Sequence, residues 1–281
     1  MFQPVIKWSG SKRSQAKEIV DLFPRDIDTY YEPFCGGCSV MRQLLEEIKS
    51  GHITCKRIVC SDLNEHLIAL WQLIKNNPYD VTSAYTAHWF NLNNNPDKAT
   101  KRRYFEEVRR NFNIYHNAVD FMFIMRTTTN GMPRYNQKGE FNNSFHITRD
   151  GIQPTKLSTI VFEWSELLNH FNVEFKCAPY DIVLTEANSN DFIYLDPPYA
   201  NTKGMYFGNF DNVRLFKLLE TLPSPWMMSY DGISGTVDNT YAVPEHLYDE
   251  HKYLRSGNSS FKRTIGKSRD SVVYESLYIK H

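Results

Sequence analysis

Asp196-Pro197-Pro198-Tyr199 follows directly on the apolar run Phe192-Ile193-Tyr194-Leu195. A short continuous apolar run reads as a strand buried on both faces. Two prolines end it, because neither donates to a sheet ladder and each holds the residue before it extended. An acid is thereby left at the C-terminal end of a buried strand, with an aromatic ring on a stiff tetrapeptide. Ligands of open α/β sheets gather at that edge. Asp196 and a proline carbonyl can accept hydrogen bonds from a planar, amine-bearing ligand, and Tyr199 offers it a stacking face.

Three N-terminal clusters have the types that hold a nucleotide. Glu32-Pro33-Phe34-Cys35-Gly36-Gly37-Cys38-Ser39 is a glycine turn between a strand and a helix, where small residues let backbone approach a ligand. Asp62 stands at the end of the following strand, where an acid can accept from ribose hydroxyls or cap the next helix. Lys7-Trp8-Ser9-Gly10-Ser11-Lys12 gathers two cations, a ring and small residues. Lys12 could meet an amino-acid carboxylate, and Trp8 an adenine ring or a sulfonium. Cys35 and Cys38 have the C-x-x-C spacing, but Cys55 and Cys60 do not form the usual second pair, so packing thiols are expected rather than a metal.

The elements that must position these residues alternate. Ser14 to Leu22 reads as a short amphipathic helix and Tyr30 to Phe34 as a strand. Val40, Met41, Leu44, Leu45 and Ile48 recur at helical spacing before Gly51. Ile53 to Cys60 reads as a strand, and Leu63 to Ile74 as a helix ending before Pro78. Such alternation implies a parallel sheet. From Pro78 the texture changes: a loop at Asn93-Asn94-Asn95-Pro96, basic helical residues to Phe112, the apolar run Phe121 to Met125, then a polar stretch from Thr127 to Asn143 that reads as a projecting hairpin. Alternation resumes near Leu157 and closes on a strand from Val272 to Ile279. The expected organisation is one α/β domain, 1–76 with 157–281, interrupted by an inserted module over 77–156.

Charge is uneven although it sums to zero. Residues 98–149 hold ten Lys/Arg and four Asp/Glu, and residues 251–281 hold seven and two. Residues 181–250 hold three and eleven. Local basic surface, rather than the total, sets affinity for a polyanion. The Met1-Phe2-Gln3 start has neither a basic nor an apolar leader region, and no apolar run approaches a membrane span. Five cysteines without framework spacing fit reduced thiols. A soluble cytoplasmic protein with no membrane partner is the expectation.

In this order the clusters resemble the Dam-type adenine-specific DNA methyltransferases over most of the chain. Lys7-Trp8-x-Gly10-x-Lys12, Glu32-Pro33-Phe34-x-Gly36 and Ser61-Asp62-x-Asn64 resemble that family's cofactor motifs. Arg126, Asn130-Gly131, Arg134-Tyr135-Asn136, Gly139 and Phe141-Asn142 resemble its target-reading hairpin, and Asp196-Pro197-Pro198-Tyr199 its catalytic tetrapeptide. The resemblance implies a Rossmann-like methyltransferase sheet with helices on both faces, plus an inserted helical and β-hairpin target-recognition domain. It implies methyl transfer from S-adenosylmethionine to N6 of a flipped adenine in double-stranded DNA. Catalysis would fall to Asp196, Pro197, Pro198 and Tyr199. Cofactor binding would fall to Lys7, Trp8, Gly10, Lys12, Glu32, Phe34, Cys35, Gly36, Asp62, Asn64 and Asp196. DNA contact would fall to Lys7, Arg126, Asn130, Arg134, Asn136 and Lys138; by charge alone, Lys262, Arg263, Lys267 and Arg269 read equally as backbone contacts or as a solvated loop. No metal is expected. A cognate restriction endonuclease is an expected partner, and the setting a prokaryotic nucleoid or a phage-infected cell.

Two departures stand out. Cys38 occupies the place of a second glycine, and Thr129 and Ser144 replace an aromatic and a proline of GATC-reading members. The resemblance therefore carries the reaction and leaves the recognition sequence open. Alternative readings are transfer to cytosine N4, RNA adenine or a glutamine side chain, and a DNA-binding regulator without turnover. Asp at 196 and an intact cofactor pocket argue for the adenine enzyme.

Overall fold

A computed structural model describes residues 2–94, 97–199, 210–258 and 272–281. Asn95-Pro96 of the expected loop and the basic residues Lys262, Arg263, Lys267 and Arg269 lie outside the described residues. In chain order the elements are α1 (Ala16–Val20), β1 (Asp26–Pro33), α2 (Ser39–Lys49), β2 (Thr54–Asp62), α3 (Glu65–Asn76), α4 (Pro78–Asn93), α5 (Lys98–Tyr115), α6 (Ala118–Thr127), α7 (Pro154–His170) and β3 (Glu174–Cys177). Then come α8 (Tyr180–Val183), β4 (Phe192–Leu195), α9 (Asn212–Leu219), β5 (Trp226–Ser234), β6 (Val237–Asp238), β7 (Glu250–Asn258) and β8 (Val272–Lys280). The chain is mixed α/β around a central sheet, and it divides into two compact units.

The described part of the sheet-bearing unit holds residues 12–63, 178–199, 210–258 and 272–281. Its strands run in the order β2-β1-β4-β5-β8-β7. β1 pairs in parallel with β2 and β4, and β4 in parallel with β5. Every residue of β4 is buried, as its apolar run demands. The all-parallel expectation is corrected on the far side: β8 runs antiparallel to both β5 and β7. The ladder between β5 and β8 shifts register between Tyr230 and Ile233, where Asp231 and Gly232 stand against Glu275 alone. That is a β-bulge, which bends a strand and re-aims nearby side chains. Gly232 is required there: a Cβ would lie 2.2 Å from the Tyr274 carbonyl oxygen and 2.9 Å from the Glu275 Cα.

The other unit holds residues 2–11 and 64–177. It extends beyond the 77–156 module on both sides because α3 packs on α6 and α7, and α4 on α7. Trp71 of α3 lies 5.0 Å from Trp164 of α7 and stacks on Phe175 of β3. The apolar run Phe121 to Met125 is the fully buried centre of α6, apolar all round because α3, α4 and α5 surround it. The Trp164 indole donates to the Gln3 carbonyl at 2.9 Å, fastening the N-terminal segment to α7.

Candidate active site

β4 delivers Asp196 to the carboxyl edge of the sheet, one residue beyond buried Leu195. The Lys12 ammonium lies 2.7 and 2.8 Å from its two carboxylate oxygens. Lys12 is only 4% exposed, so the pair sits where water screens little. The same ammonium is 3.6 Å from Glu275 of β8 and 5.0 Å from the centre of the Tyr199 ring. Burial pushes the Asp196 carboxyl up to about 6; Lys12 pulls it down and Glu275 pushes it up. Burial also raises the Tyr199 hydroxyl, which lies beside both carboxylates. The result is a cluster of two half-buried acids around one buried cation, set to accept hydrogen bonds from a polar ligand.

The glycine turn is built from three left-handed residues, Phe34 (φ 76°), Gly36 (φ 46°) and Cys38 (φ 52°). The Cys35 amide donates to the Ser61 carbonyl at 2.9 Å, and the Cys38 amide to the Cys35 carbonyl at 2.7 Å. The Gly36 amide donates to the Asp62 carboxylate at 3.2 Å, so the acid at the end of β2 holds the turn after β1. Cys38 takes the glycine-like conformation without being glycine, at a cost of about 1–2 kcal/mol. Cys35, Cys38 and Cys60 are buried together, and burial pushes the Cys35 thiol up to about 12, so these are packing thiols. The Phe34 ring already lies against Tyr180 and Phe210, at 5.3 and 5.6 Å.

Glu32, expected at the cofactor, also has a task within the fold. Its carboxyl is buried, accepts from the Tyr30 hydroxyl at 2.7 Å and from the Met41 amide, and so braces β1 against the start of α2. Burial pushes it up to about 8, outweighing those hydrogen bonds. A group whose folded pKa is raised favours the folded state at low pH. Stability is therefore lost as pH rises from about 4.5 through 8. Glu32→Gln keeps the shape without the charge, and it is expected to melt progressively above the wild type between about pH 5 and about pH 9. Parallel melting curves across that range would count against the assignment.

The second unit of the sequence expectation is assembled from asparagines. Antiparallel bridges join Thr128 to Phe145 and Tyr135 to Phe141, and the Asn142 and Asn136 amides donate to the Arg134 and Glu140 carbonyls, so the expected hairpin is present as two short antiparallel pairings rather than one continuous ladder. Asn113 of α5 accepts from the Phe141 amide at 2.8 Å and donates to its carbonyl at 3.1 Å, mimicking a strand partner. Asn143 donates to the Thr129 and Met132 carbonyls, both at 3.0 Å, and the Arg109 guanidinium donates to the Asn143 carbonyl at 3.0 Å. Asn136 is spent within its turn: its oxygen accepts from the Lys138 and Glu140 amides and its nitrogen donates to the Glu140 carboxylate. That leaves it little to offer a base.

Arg126 also departs from expectation. Its guanidinium donates to the Val5 carbonyl at 2.7 Å and to the Pro4 carbonyl, which ties α6 to the N-terminal segment. Arg134 and Lys138 are exposed on the loop. Lys7 is exposed beside Arg126 and Arg149, and both cations, after partial burial, pull its ammonium below the ordinary range. Asn130 is left-handed (φ 59°), and Gly131 (φ 62°) leaves room for Lys7: a Cβ at 131 would lie 2.7 Å from the Lys7 Cγ. Asn64 caps α3 by accepting from the Leu67 amide at 3.1 Å and reaches the Tyr135 hydroxyl at 3.5 Å. Lys7, Trp8, Gly10 and Asn64 thus belong to the helical unit, and Lys12, Glu32 to Gly36, Asp62 and Asp196 to Tyr199 to the sheet unit.

Sequence reasoning passed over Glu275, Asn113 and Asn143. Glu275 left one signal, an acid at the same strand parity as buried Leu277 and Ile279. Asn113 left none, because an asparagine in a basic helix does not announce its partner.

Residues 8–260 match the family of D12 class N6 adenine-specific DNA methyltransferases. The Type II methyltransferase M.MjaIII of Methanocaldococcus jannaschii is 28% identical over 307 residues, which cover 99% of each chain. The Type II methyltransferase M.CviBI of Paramecium bursaria Chlorella virus NC1A is 27% identical over 291 residues and the full length of both. A DNA adenine methylase of Vibrio cholerae is 29% identical over 199 residues, 69% of this chain and 64% of the relative.

Proposed function

The chain belongs to the D12 class of N6 adenine-specific DNA methyltransferases, and from that premise we propose how its residues share the reaction. The enzyme moves a methyl group from S-adenosylmethionine to N6 of adenine at specific sites in DNA. Adenine N6 is a poor nucleophile because its lone pair is delocalised into the ring. Asp196 and the Pro197 carbonyl accept its two N–H groups, which turns the lone pair towards the methyl donor. In-line positioning and placed charge then carry the rate. The cofactor supplies the electrophile, a methyl on a sulfonium. The residues present fit such a group: the turn Phe34 to Cys38 follows β1 at the carboxyl edge of the sheet with Phe34 and Gly37 half-buried, and Asp62 at the end of β2 has acceptor positions beyond its Gly36 contact for ribose hydroxyls. Pro197 holds Asp196, and Pro198 holds Pro197, on extended backbone. The observation that carries this division is the buried Lys12–Asp196 pair at the end of β4.

Duplex DNA hides the N6 amine, so the target base leaves the stack and Tyr199 receives it. With 2-aminopurine at the target position, fluorescence is expected to rise on binding; an unchanged signal with tight binding would contradict flipping.

The helical unit reads the site. Exposed Arg134, which can pair bidentately with guanine, and exposed Lys138 on the pinned loop support this. Arg134→Ala is expected to change which sequence is methylated, and Lys138→Ala to weaken all DNA alike. Gly131→Ala is expected to lower DNA affinity by about tenfold or more, because Lys7 and the loop compete for the space of one Cβ on strained backbone. Lys7 is also expected at the cofactor, so cofactor affinity is measured alongside. Filter binding beside cofactor titration checks both, and unchanged DNA affinity would remove Lys7 and Gly131 from the interface.

The Type II names of the relatives support a cognate restriction endonuclease as partner. DNA from cells expressing this chain should resist that nuclease at the methylated motif. Among the described residues no helix is long and apolar enough to cross a membrane.

A further inference from the structure

Glu275 belongs to none of the motifs that mark this family in the sequence, yet the fold aims it at the reacting pocket. The bulge in β5 sets Asp231 and Gly232 against Glu275, and Gly232 admits the β8 backbone at a distance no Cβ would allow. The Glu275 Oε1 accepts from the Ser256 hydroxyl of β7 at 2.9 Å, which orients the carboxylate. Its Oε2 lies 3.6 Å from the Lys12 ammonium, longer than the 2.7 Å contact Lys12 makes with Asp196.

This geometry poses a conflict that a second acid resolves. Asp196 must present an oxygen to the N6 amine, but both its oxygens face Lys12. A carboxylate has about four acceptor positions, so an incoming N–H competes with the ammonium rather than being shut out. A nearly buried ammonium that loses its acid is strongly destabilised unless another takes it. A shift of under about 1 Å would bring Lys12 to Glu275 at ordinary hydrogen-bond length.

We propose that Glu275 is a positioning residue that takes the Lys12 ammonium as Asp196 turns to the target amine. The proposal rests on the catalytic reading of Asp196. Five charged or titratable groups besides Glu275 bear on Asp196 or across the ladder: Lys12, Glu32 of β1, Tyr194 of β4, Tyr199, and Asp231 on the bulge. On β7, Leu254 is opposite Glu275, with Arg255 beside it.

The test uses Glu275→Gln and Glu275→Asp in the full chain. Single-turnover methyl transfer to DNA is followed across pH, with cofactor and DNA affinities measured alongside. Glu275→Gln is expected to slow transfer about tenfold to a hundredfold at unchanged affinities. It should also move the acid limb of the rate profile to lower pH, because a negative charge that raises Asp196 is gone. Glu275→Asp keeps the charge, so it should return the limb to its wild-type position and recover part of the rate. An unchanged rate, or a slower one with the limb in place for both variants, would overturn the proposal. Carboxyl NMR of labelled aspartate reads the Asp196 titration without turnover. A titration that Glu275→Gln leaves unmoved overturns the proposal independently. Absence of methyl transfer by the wild type would instead strike the functional reading alone.

Discussion

Asp196→Ala is expected to lower methyl transfer by at least about a thousandfold while cofactor and DNA affinities change by no more than a few-fold. The side chain removed is the acceptor at the end of β4, and the Pro197 carbonyl alone cannot orient both hydrogens of an amine. The loss falls on the rate because the contact strengthens as charge develops on N6. Folding should survive: β4 stays buried between β1 and β5, and Lys12 keeps Glu275 within 3.6 Å. Single-turnover transfer from labelled S-adenosylmethionine measures the effect. A variant retaining more than about a tenth of the rate would contradict the assigned role.

Lys12→Met should act through the same carboxylate with the opposite sign to Glu275→Gln. Burial and Glu275 both push Asp196 up, and Lys12 is the group that pulls it down. Without the cation the carboxyl climbs above about 6, so a larger share is protonated and unable to accept from the amine. Transfer near neutral pH should fall about tenfold to a hundredfold and recover in part at higher pH. The acid limb moves up. Stability carries the same sign: with a folded pKa above the ordinary 3.8, stability from Asp196 is present at low pH and lost as pH rises through about 6. In the variant that loss extends to higher pH. A limb that stayed in place or moved down would show that Lys12 does not hold Asp196 ionised.

The parts of the site legible in the sequence are those in which local rules are obeyed. An apolar tetrapeptide halted by two prolines can only be a strand that ends on Asp196, and β4 is that strand. A glycine turn between a strand and an amphipathic helix, with an acid at the end of the next strand, gives Gly36 bonded to Asp62. What stayed hidden depends on partners remote in the chain. Glu275 reaches Asp196 through the register of β8 on β5, and one bulge residue fixes its aim. The bracing of Glu32 by Tyr30 and Met41 was not legible in the glycine-turn motif that contains it. Arg126 looks like a DNA contact until the N-terminal segment folds back and offers the carbonyls of Pro4 and Val5. Asn136, expected at the DNA, instead makes three side-chain hydrogen bonds within its own turn. The limits of the helical unit were equally hidden, because α3 and α7 follow the strand–helix rhythm while packing on α6 and α4.

The most direct test of the central claim is methyl transfer from labelled S-adenosylmethionine to unmethylated genomic DNA by the wild type and by Asp196→Ala, with nucleoside analysis and single-molecule mapping of the product. N6-methyladenine is expected at one short motif with the wild type, and none above background with the variant. Methyl groups appearing equally with both proteins, or on a base other than adenine, would contradict it.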